Sequence, residues 1–392
     1  MKTQSRRMQG VPVLFFNQVG AQIASINDAG GDVIRLDIGS PDLSPPDFIL
    51  DALSDSAIIE GHHGYGSHNG TPALRDAWSR MYKRHFGVNL APDTEVLPLI
   101  GTKEGIFHLP LAVVDPGDVV LIPDPGYVTY TRGAHFAGAD PFFLPLLSEN
   151  EYLPDLGSIP GSILSRARLM WINYPNNPTA AVANIEFFKQ AVDFAQSNNL
   201  VICHDAAYCH VTYASNAAPS ILQVEGASEV AVEFNSLSKS HNMAGWRVGA
   251  IMGNPNVIKS LFTLKTNADS GHFQPILDAA VAALDSDHDW IDERNDVYRR
   301  RRDIVINNLQ AMGLDVDKPL ASLYVWCPIP EGWTSDNFVS AVLENAQVSL
   351  TPGTLFGERG EGYVRISLTV SLGRIQEAMD RLNNWFEKCV LA

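Results

Sequence analysis

Four short segments carry the side chains from which chemistry could be built. They are Asn173-Tyr174-Pro175-Asn176-Asn177-Pro178-Thr179, His204-Asp205-Ala206-Ala207-Tyr208, Ser236-Leu237-Ser238-Lys239 and Gly245-Trp246-Arg247. Together they offer a carboxylate, an amine, two hydroxyls and a guanidinium, the set that a phosphorylated aromatic aldehyde needs. Lys239 can condense with the aldehyde, Asp205 can keep a ring nitrogen protonated so that the ring accepts electrons, and Ser236, Ser238 and Arg247 can bind the phosphate. That chemistry belongs to pyridoxal 5'-phosphate.

Such groups act only if the fold brings them together. The first three segments each follow a predicted strand, at Arg168 to Asn173, Leu200 to His204 and Val230 to Phe234; further strands are expected at Val33 to Asp37, Glu95 to Ile100, Asp118 to Ile122 and Arg247 to Met252. Helical stretches lie between most of them, among them Thr71 to Phe86, Lys103 to Val114, Asn184 to Ser197 and Asn256 to Asn267. This alternation predicts an α/β fold with a mostly parallel sheet covered on both faces, whose strand ends open on one edge where ligands bind. Gly101-Thr102-Lys103-Glu104-Gly105 also follows a strand and opens a helix, so its backbone N–H groups point at an anion. Gly101, Thr102 and Lys103 therefore read as a phosphate cradle.

After about residue 285 the texture changes. A long charged helical stretch, Trp290 to Met312, leads to strands at Ser322 to Cys327 and Gly362 to Leu368 and a closing helix at Arg374 to Cys389. The expected organisation is an N-terminal arm and helix over 1–45, a three-layer α/β/α large domain over 46–285, and a small C-terminal α+β domain over 286–392. The amphipathic stretch Leu14 to Ala29 is assigned to the small domain.

Composition narrows the partners. A net charge of −16 would repel a phosphate backbone, so no nucleic-acid partner is expected. The four cysteines, Cys203, Cys209, Cys327 and Cys389, are too few for a disulfide framework, and a reducing cytoplasm is the expected location. The apolar run from Val11 to Phe16 is broken by Pro12 and reads as no export signal. No window approaches the ~20 apolar residues that cross a bilayer, so no membrane partner is expected.

Other motifs fail on context. Gly64-Tyr65-Gly66 with Gly70 lacks the spacing and the preceding strand of a dinucleotide fingerprint. No phosphate-binding G-x-x-x-x-G-K-[ST], zinc-protease H-E-x-x-H or hydrolase G-x-S-x-G occurs. Cys203-His204 and Cys209-His210 read as packed thiols near a strand end, because Cys203 and Asp205 share one strand face while His204 points to the other; no metal is expected. Ser236-Leu237-Ser238-Lys239, Ser335-Asp336-Asn337 and Lys265-Thr266-Asn267 approximate the elements of serine penicillin-recognising enzymes, but Lys265 precedes Ser335, the wrong order.

In these ordered motifs the sequence resembles the class I and II aminotransferases of the aspartate aminotransferase fold type, from Ile38-Gly39-Ser40-Pro41-Asp42 to Val364-Arg365-Ile366-Ser367. The resemblance implies that Asn177 and Tyr208 hydrogen-bond the cofactor ring hydroxyl, that Tyr127 stacks on the ring, and that Tyr65 reaches the phosphate across a homodimer interface. It further implies that Arg365 grips the substrate α-carboxylate with two parallel bonds, helped by Asn177 and the backbone of Gly39. The implied reaction moves an amino group between an L-amino acid, such as LL-diaminopimelate or aspartate, and a 2-oxo acid such as 2-oxoglutarate, with Lys239, Asp205 and Tyr208 as catalytic residues.

Within the family, residues 265–271 and 96–105 most resemble LL-diaminopimelate aminotransferases and their aspartate aminotransferase neighbours. Two departures are Ala180, where Gly is usual, and His241, where Tyr is frequent. Fold and motifs leave open a same-fold enzyme that eliminates, replaces or cyclises instead of transaminating. A cofactor-binding regulator would bring a basic DNA-binding segment, and neither terminus offers one.

Overall fold

The computed structural model describes residues 3–9, 11, 15–213, 218–287 and 289–389; Leu14 of the expected first helix and the side chain of Cys389 lie outside the described set. Its helices are α1 (Phe15–Asp28), α2 (Asp47–Ala57), α3 (Pro72–Phe86), α4 (Thr102–Val113), α5 (Val128–Ala137), α6 (Gly161–Leu164), α7 (Ile185–Asn198), α8 (Ala227–Val230), α9 (Leu237–Ser240), α10 (Pro255–Lys265), α11 (Gln274–Asp285), α12 (Asp289–Ala311), α13 (Ser335–Ala346) and α14 (Leu372–Cys389). Its strands are β1 (Ile34–Arg35), β2 (Val96–Ile100), β3 (Val119–Asp124), β4 (Asp140–Pro145), β5 (Ala167–Asn173), β6 (Val201–Asp205), β7 (Ala231–Ser236), β8 (Val248–Gly253), β9 (Tyr324–Pro328), β10 (Val348–Ser349), β11 (Thr351–Pro352) and β12 (Tyr363–Ser367). Contacts divide the chain into a small unit, Met1–Gly39 with Tyr298–Pro319 and Leu323–Ala392, and a large unit, Ser40–Val297 with Leu320–Ser322.

The large unit is built on a seven-stranded sheet in the order β2-β8-β7-β6-β5-β3-β4. Only β8 runs against its neighbours. Side chains alternate across it as a strand requires. Val120 and Ile122, Leu169 and Trp171, and Cys203 point to one face, under α4, α5 and α10. Val119 and Leu121, Met170 and Ile172, and Ile202 point to the other, under α7. On that second face α2, α3 and α11 cover β2 and β8. Helix ends follow local rules: Thr71 and Asn184 accept N–H bonds at the starts of α3 and α7, and Gly87 ends α3 in the left-handed region at φ 71°.

Several elements carry little sequence signal. Strand β4, Asp-Pro-Phe-Phe-Leu-Pro, holds two prolines and lies at the sheet edge, where missing N–H donors cost nothing. Helix α11 packs on both α2 and α3 and is apolar on most of its surface, so its periodicity is blurred.

In the small unit β1 pairs in parallel with β10, and β11-β12-β9 form an antiparallel sheet. Val19 and Ile23 of α1 pack with Val33 and Leu343. The unit boundaries fall earlier and later than the positions read from the sequence, for a physical reason. Asn242 Nδ2 donates to the Ser44 carbonyl at 3.2 Å, and Arg294 and Asn295 in the first turns of α12 donate to the His210 carbonyl. These bonds tie both stretches to the large unit. Among the described residues no helix is long and apolar enough to cross a membrane.

Candidate active site

Strand register alone gathers most of the expected groups. Asn173 lies opposite Asp205, Asp205 opposite Phe234, Ser236 opposite Gly249, and Gly249 opposite Leu99. The carboxyl ends of β5, β6, β7 and β2 and the reversed start of β8 therefore share one edge. There the chain presents Asn177, Asp205, Tyr208, Ser236, Ser238, Lys239, Arg247, Gly101 and Thr102. Tyr127 follows β3 at the same edge.

Asp205 is 6% exposed. Tyr130, on α5, donates its hydroxyl to Oδ2 at 2.8 Å, and the Ala207 N–H donates to Oδ1 at 3.3 Å. Burial raises the Asp205 pKa above the ordinary carboxylate value, while these bonds and the charges of His204 and Lys239 oppose the rise. Burial and the facing carboxylate push the Tyr130 phenol well above its ordinary value, so it remains a donor. Tyr130 is stacked on Trp171 with centroids 4.8 Å apart, and Tyr127 meets its edge at 5.6 Å. A positive charge-assisted donor, such as a protonated ring nitrogen, suits this buried carboxylate.

On the opposite face of β6, His204 puts Nδ1 2.8 Å from Glu233 Oε2 and Nε2 3.0 Å from the Tyr174 carbonyl. Glu233 also accepts from Tyr82, Ser220 and the Ile221 N–H. This buried network fastens β6 and β7 to the turn that carries Asn177. His204 is thus a structural anchor, in line with its opposite strand face. Among the described residues no cluster is suited to a metal ion.

Lys239 sits on the single helical turn α9. Ser236 caps it, its Oγ accepting the Ser238 N–H at 3.1 Å, and Ser240 Oγ donates to the Ser236 carbonyl at 2.7 Å. Arg294, 4% exposed, donates to the carbonyls of Lys239 at 2.5 Å, Ser240 at 2.6 Å and His210 at 2.9 Å. One guanidinium thus ties the lysine turn to the chain that follows Tyr208. His241 is buried, with Nδ1 2.7 Å from Ser240 Oγ and its ring 5.5 Å from Trp290.

Arg247 and the start of α4 form a concave polar cradle. A Cβ on Gly101, which has φ 69°, would overlap the Arg247 guanidinium, and one on Gly249 would lie 3.0 Å from the Thr102 nitrogen. Only glycine allows both approaches. Arg247 is itself left-handed at φ 60°, a conformation that costs a side-chain-bearing residue about 1–2 kcal/mol. The first N–H groups of α4 have no intrahelical acceptors and point outward with the positive end of the helix dipole. Helix N–H groups, two serine hydroxyls and a guanidinium are a phosphate donor set, and with buried Asp205 and the Lys239 amine they fit pyridoxal phosphate.

The Asn177 turn is self-braced. Asn173 Oδ1 accepts the Asn177 N–H at 2.8 Å and its Nδ2 donates to the Asp205 carbonyl at 2.7 Å; Asn176 Oδ1 accepts from the Thr179 N–H and hydroxyl. The turn ends at Ala180, whose φ of 61° explains why glycine is the usual residue there. Ala180→Gly should stabilise the protein by about 1 kcal/mol, read as a higher urea midpoint at unchanged m-value. An unchanged or lower midpoint would refute strain at this position.

Arg365 and Gly39 both lie in the small unit. Arg365, 3% exposed, donates from Nη2 to the Asp37 carbonyl at 2.8 Å, and its guanidinium lies 4.1 Å from the Tyr324 ring centroid and 4.9 Å from that of Phe356. A Cβ on Gly39 would overlap the Tyr324 hydroxyl, so only glycine fits. Both rings pack against the guanidinium, a group whose planar fork suits bidentate carboxylate binding.

Two expected residues have exposed side chains. Tyr65 is 93% exposed in this single chain, and the Lys103 side chain is also exposed. Sequence reasoning passed over Tyr130, Arg294, Glu233 and Tyr324. Of these only Tyr130, one helical turn after Tyr127, had a local signal. Of the serine-enzyme motifs, Ser335 Oγ accepts the Gly362 N–H at 3.0 Å and Lys265 Nζ is paired with the Glu104 and Asp269 carboxylates.

Residues 31–382 match the family described as aminotransferase class I and II. The LL-diaminopimelate aminotransferase of Moorella thermoacetica is 47% identical over 97% of this chain and 97% of its own. Among solved structures, substrate-bound BacF from Bacillus subtilis is 35% identical with a TM-score of 0.94 over 98% of both chains. A probable N-succinyldiaminopimelate aminotransferase from Thermus thermophilus is 34% identical with a TM-score of 0.90, over 94% of this chain and 99% of that one. The chain belongs to the class I and II aminotransferases and is a pyridoxal-phosphate-dependent transaminase of the aspartate aminotransferase fold.

Proposed function

We propose that the enzyme takes LL-diaminopimelate as amino donor and passes the amino group to a 2-oxo acid such as 2-oxoglutarate. The observation that carries this reading is the likeness, over nearly the whole chain, to relatives that bear that name. Bound pyridoxal phosphate supplies the carbonyl that captures the donor and a ring that takes up negative charge from its α-carbon.

The chain supplies the rest. Lys239 Nζ removes the proton from the substrate α-carbon and holds it for return. The Asp205 carboxylate would accept the hydrogen bond of the ring nitrogen and keep that proton in place, with Tyr130 fixing the carboxylate through its bond to Oδ2. The Asn177 amide and Tyr208 phenol would donate to the ring oxygen, and the Tyr127 face would cover the ring. Gly101, Thr102, Lys103, Ser236, Ser238 and Arg247 would hold the phosphate, and Arg365 with Gly39 would orient the substrate carboxylate. In this reading Tyr65 completes the phosphate site of a second copy. Its exposure, beside the exposed Ile58 and Ile59, supports a homodimer with shared sites. The buried free thiols of Cys203, Cys209 and Cys327 are in keeping with a reducing cytoplasm, to which we assign the enzyme.

A single-turnover absorbance scan of cofactor-loaded protein tests the substrate. Among glutamate, aspartate, alanine and LL-diaminopimelate, the last should convert the near-visible band to the amine-form band fastest, and 2-oxoglutarate should reverse it. Faster conversion by another donor would move the assignment to that donor.

A further inference from the structure

The stretch Lys265-Thr266-Asn267-Ala268-Asp269-Ser270-Gly271 contributes no group to the reaction described above, yet it centres on a buried charge. Lys265 ends α10 with its side chain 1% exposed, and Nζ lies 3.2 Å from Glu104 Oε2 and 2.7 Å from Asp269 Oδ2. Both carboxylates have a second task. Glu104 Oε2 accepts the Ile100 N–H at 2.9 Å, which fixes the turn through Gly101 and Thr102 into α4. Asp269 Oδ1 accepts the Gly271 N–H at 3.2 Å, and the next residue, His272, donates from Nε2 to the Arg247 carbonyl at 2.8 Å. Arg247 in turn lies over Gly101. The contacts close a ring that joins the α4 amino terminus to Arg247 through Lys265.

We infer that Lys265, with Glu104, Asp269 and His272, is the positioning brace of the phosphate cradle, setting the separation between the start of α4 and the Arg247 guanidinium. The inference rests on the assignment of that cradle to the cofactor phosphate. None of the four brace residues is assigned a contact with the cofactor, so their effect passes through the backbone of Ile100 to Thr102 and of Arg247. Without the Lys265 ammonium, Glu104 and Asp269 face each other as partly buried like charges and the two sides of the cradle separate. Phosphate recognition is then lost selectively, because Asp205, Tyr130 and the Lys239 turn belong to other contacts.

Equilibrium binding to the apoprotein tests this with two ligands, pyridoxal phosphate and pyridoxal, which differ only in the phosphate. Lys265→Met should raise the Kd for pyridoxal phosphate by about tenfold or more and leave that for pyridoxal within about twofold. Lys265→Arg should recover most of the loss. His272→Ala, which removes one bond at the surface of the brace, should raise the phosphate-ligand Kd severalfold with pyridoxal unchanged, and it decides the matter if Lys265→Met fails to fold. Arg247→Ala is the reference: if it weakens both ligands alike, the cradle assignment itself fails. If Arg247→Ala is selective but Lys265→Met and His272→Ala weaken both ligands equally or neither, the brace is overturned.

Discussion

Lys239→Ala abolishes transamination, with kcat/KM falling by at least about 10⁴-fold and no near-visible cofactor band that borohydride reduction fixes to the protein. The size follows from two functions residing in one amine, the covalent hold on the cofactor and the base at the substrate α-carbon. The variant should fold normally. The turn that carries residue 239 is held by Ser236 and Ser240, and its carbonyl by Arg294, all independently of the lysine side chain. A thermal midpoint close to that of the unaltered apoprotein, together with the lost band, separates chemistry from stability. An added small amine should restore part of the rate by replacing the base. Retention of the band or of substantial turnover would remove Lys239 from the centre of the mechanism and direct attention to Lys103, a lysine in the first turn of α4.

The large sheet was legible because its strands are buried on both faces and read as largely apolar runs, as at Val119 to Ile122 in β3 and Leu169 to Ile172 in β5. Their carboxyl ends then fall on one edge by topology alone, which is why Asn177, Asp205 and Lys239 could be brought together without coordinates. What sequence could not give were contacts made across the fold. Tyr130 reaches Asp205 over a separation of 75 residues, and Arg294 reaches the Lys239 carbonyl over 55. Neither sits in a motif, since each acts through a hydrogen bond whose geometry depends on how α5 and α12 pack. Arg365 and Gly39 were named by resemblance, but the Tyr324 ring that packs against the guanidinium and excludes a side chain at Gly39 is visible only in the folded small unit. Ala180 is intermediate: its departure from glycine was visible in the sequence, and the structure supplies the left-handed φ that gives it a cost.

Asp205→Asn should lower kcat by about 10²- to 10³-fold while leaving substrate KM nearly unchanged. The amide keeps the shape of the carboxylate, and its oxygen can still accept from Tyr130 or from the Ala207 N–H, so the site remains assembled. It loses the negative charge that keeps a proton on the ring nitrogen, which matters most when the ring takes up charge from the α-carbon. Stability should move the other way. Burial raises the folded-state pKa of Asp205, so in the apoprotein the ionised carboxylate is disfavoured at neutral pH relative to the unfolded chain, whereas below the ordinary carboxylate pKa the group is protonated in both states and costs nothing. The asparagine variant escapes that cost. Its apoprotein should therefore melt at a higher temperature than the unaltered apoprotein at neutral pH, with the difference shrinking as pH falls through the raised Asp205 pKa. A variant that loses activity and stability together at neutral pH would mark Asp205 as a structural carboxylate. Loss of kcat with gain of apoprotein stability is the pattern of a charge kept buried for the reaction.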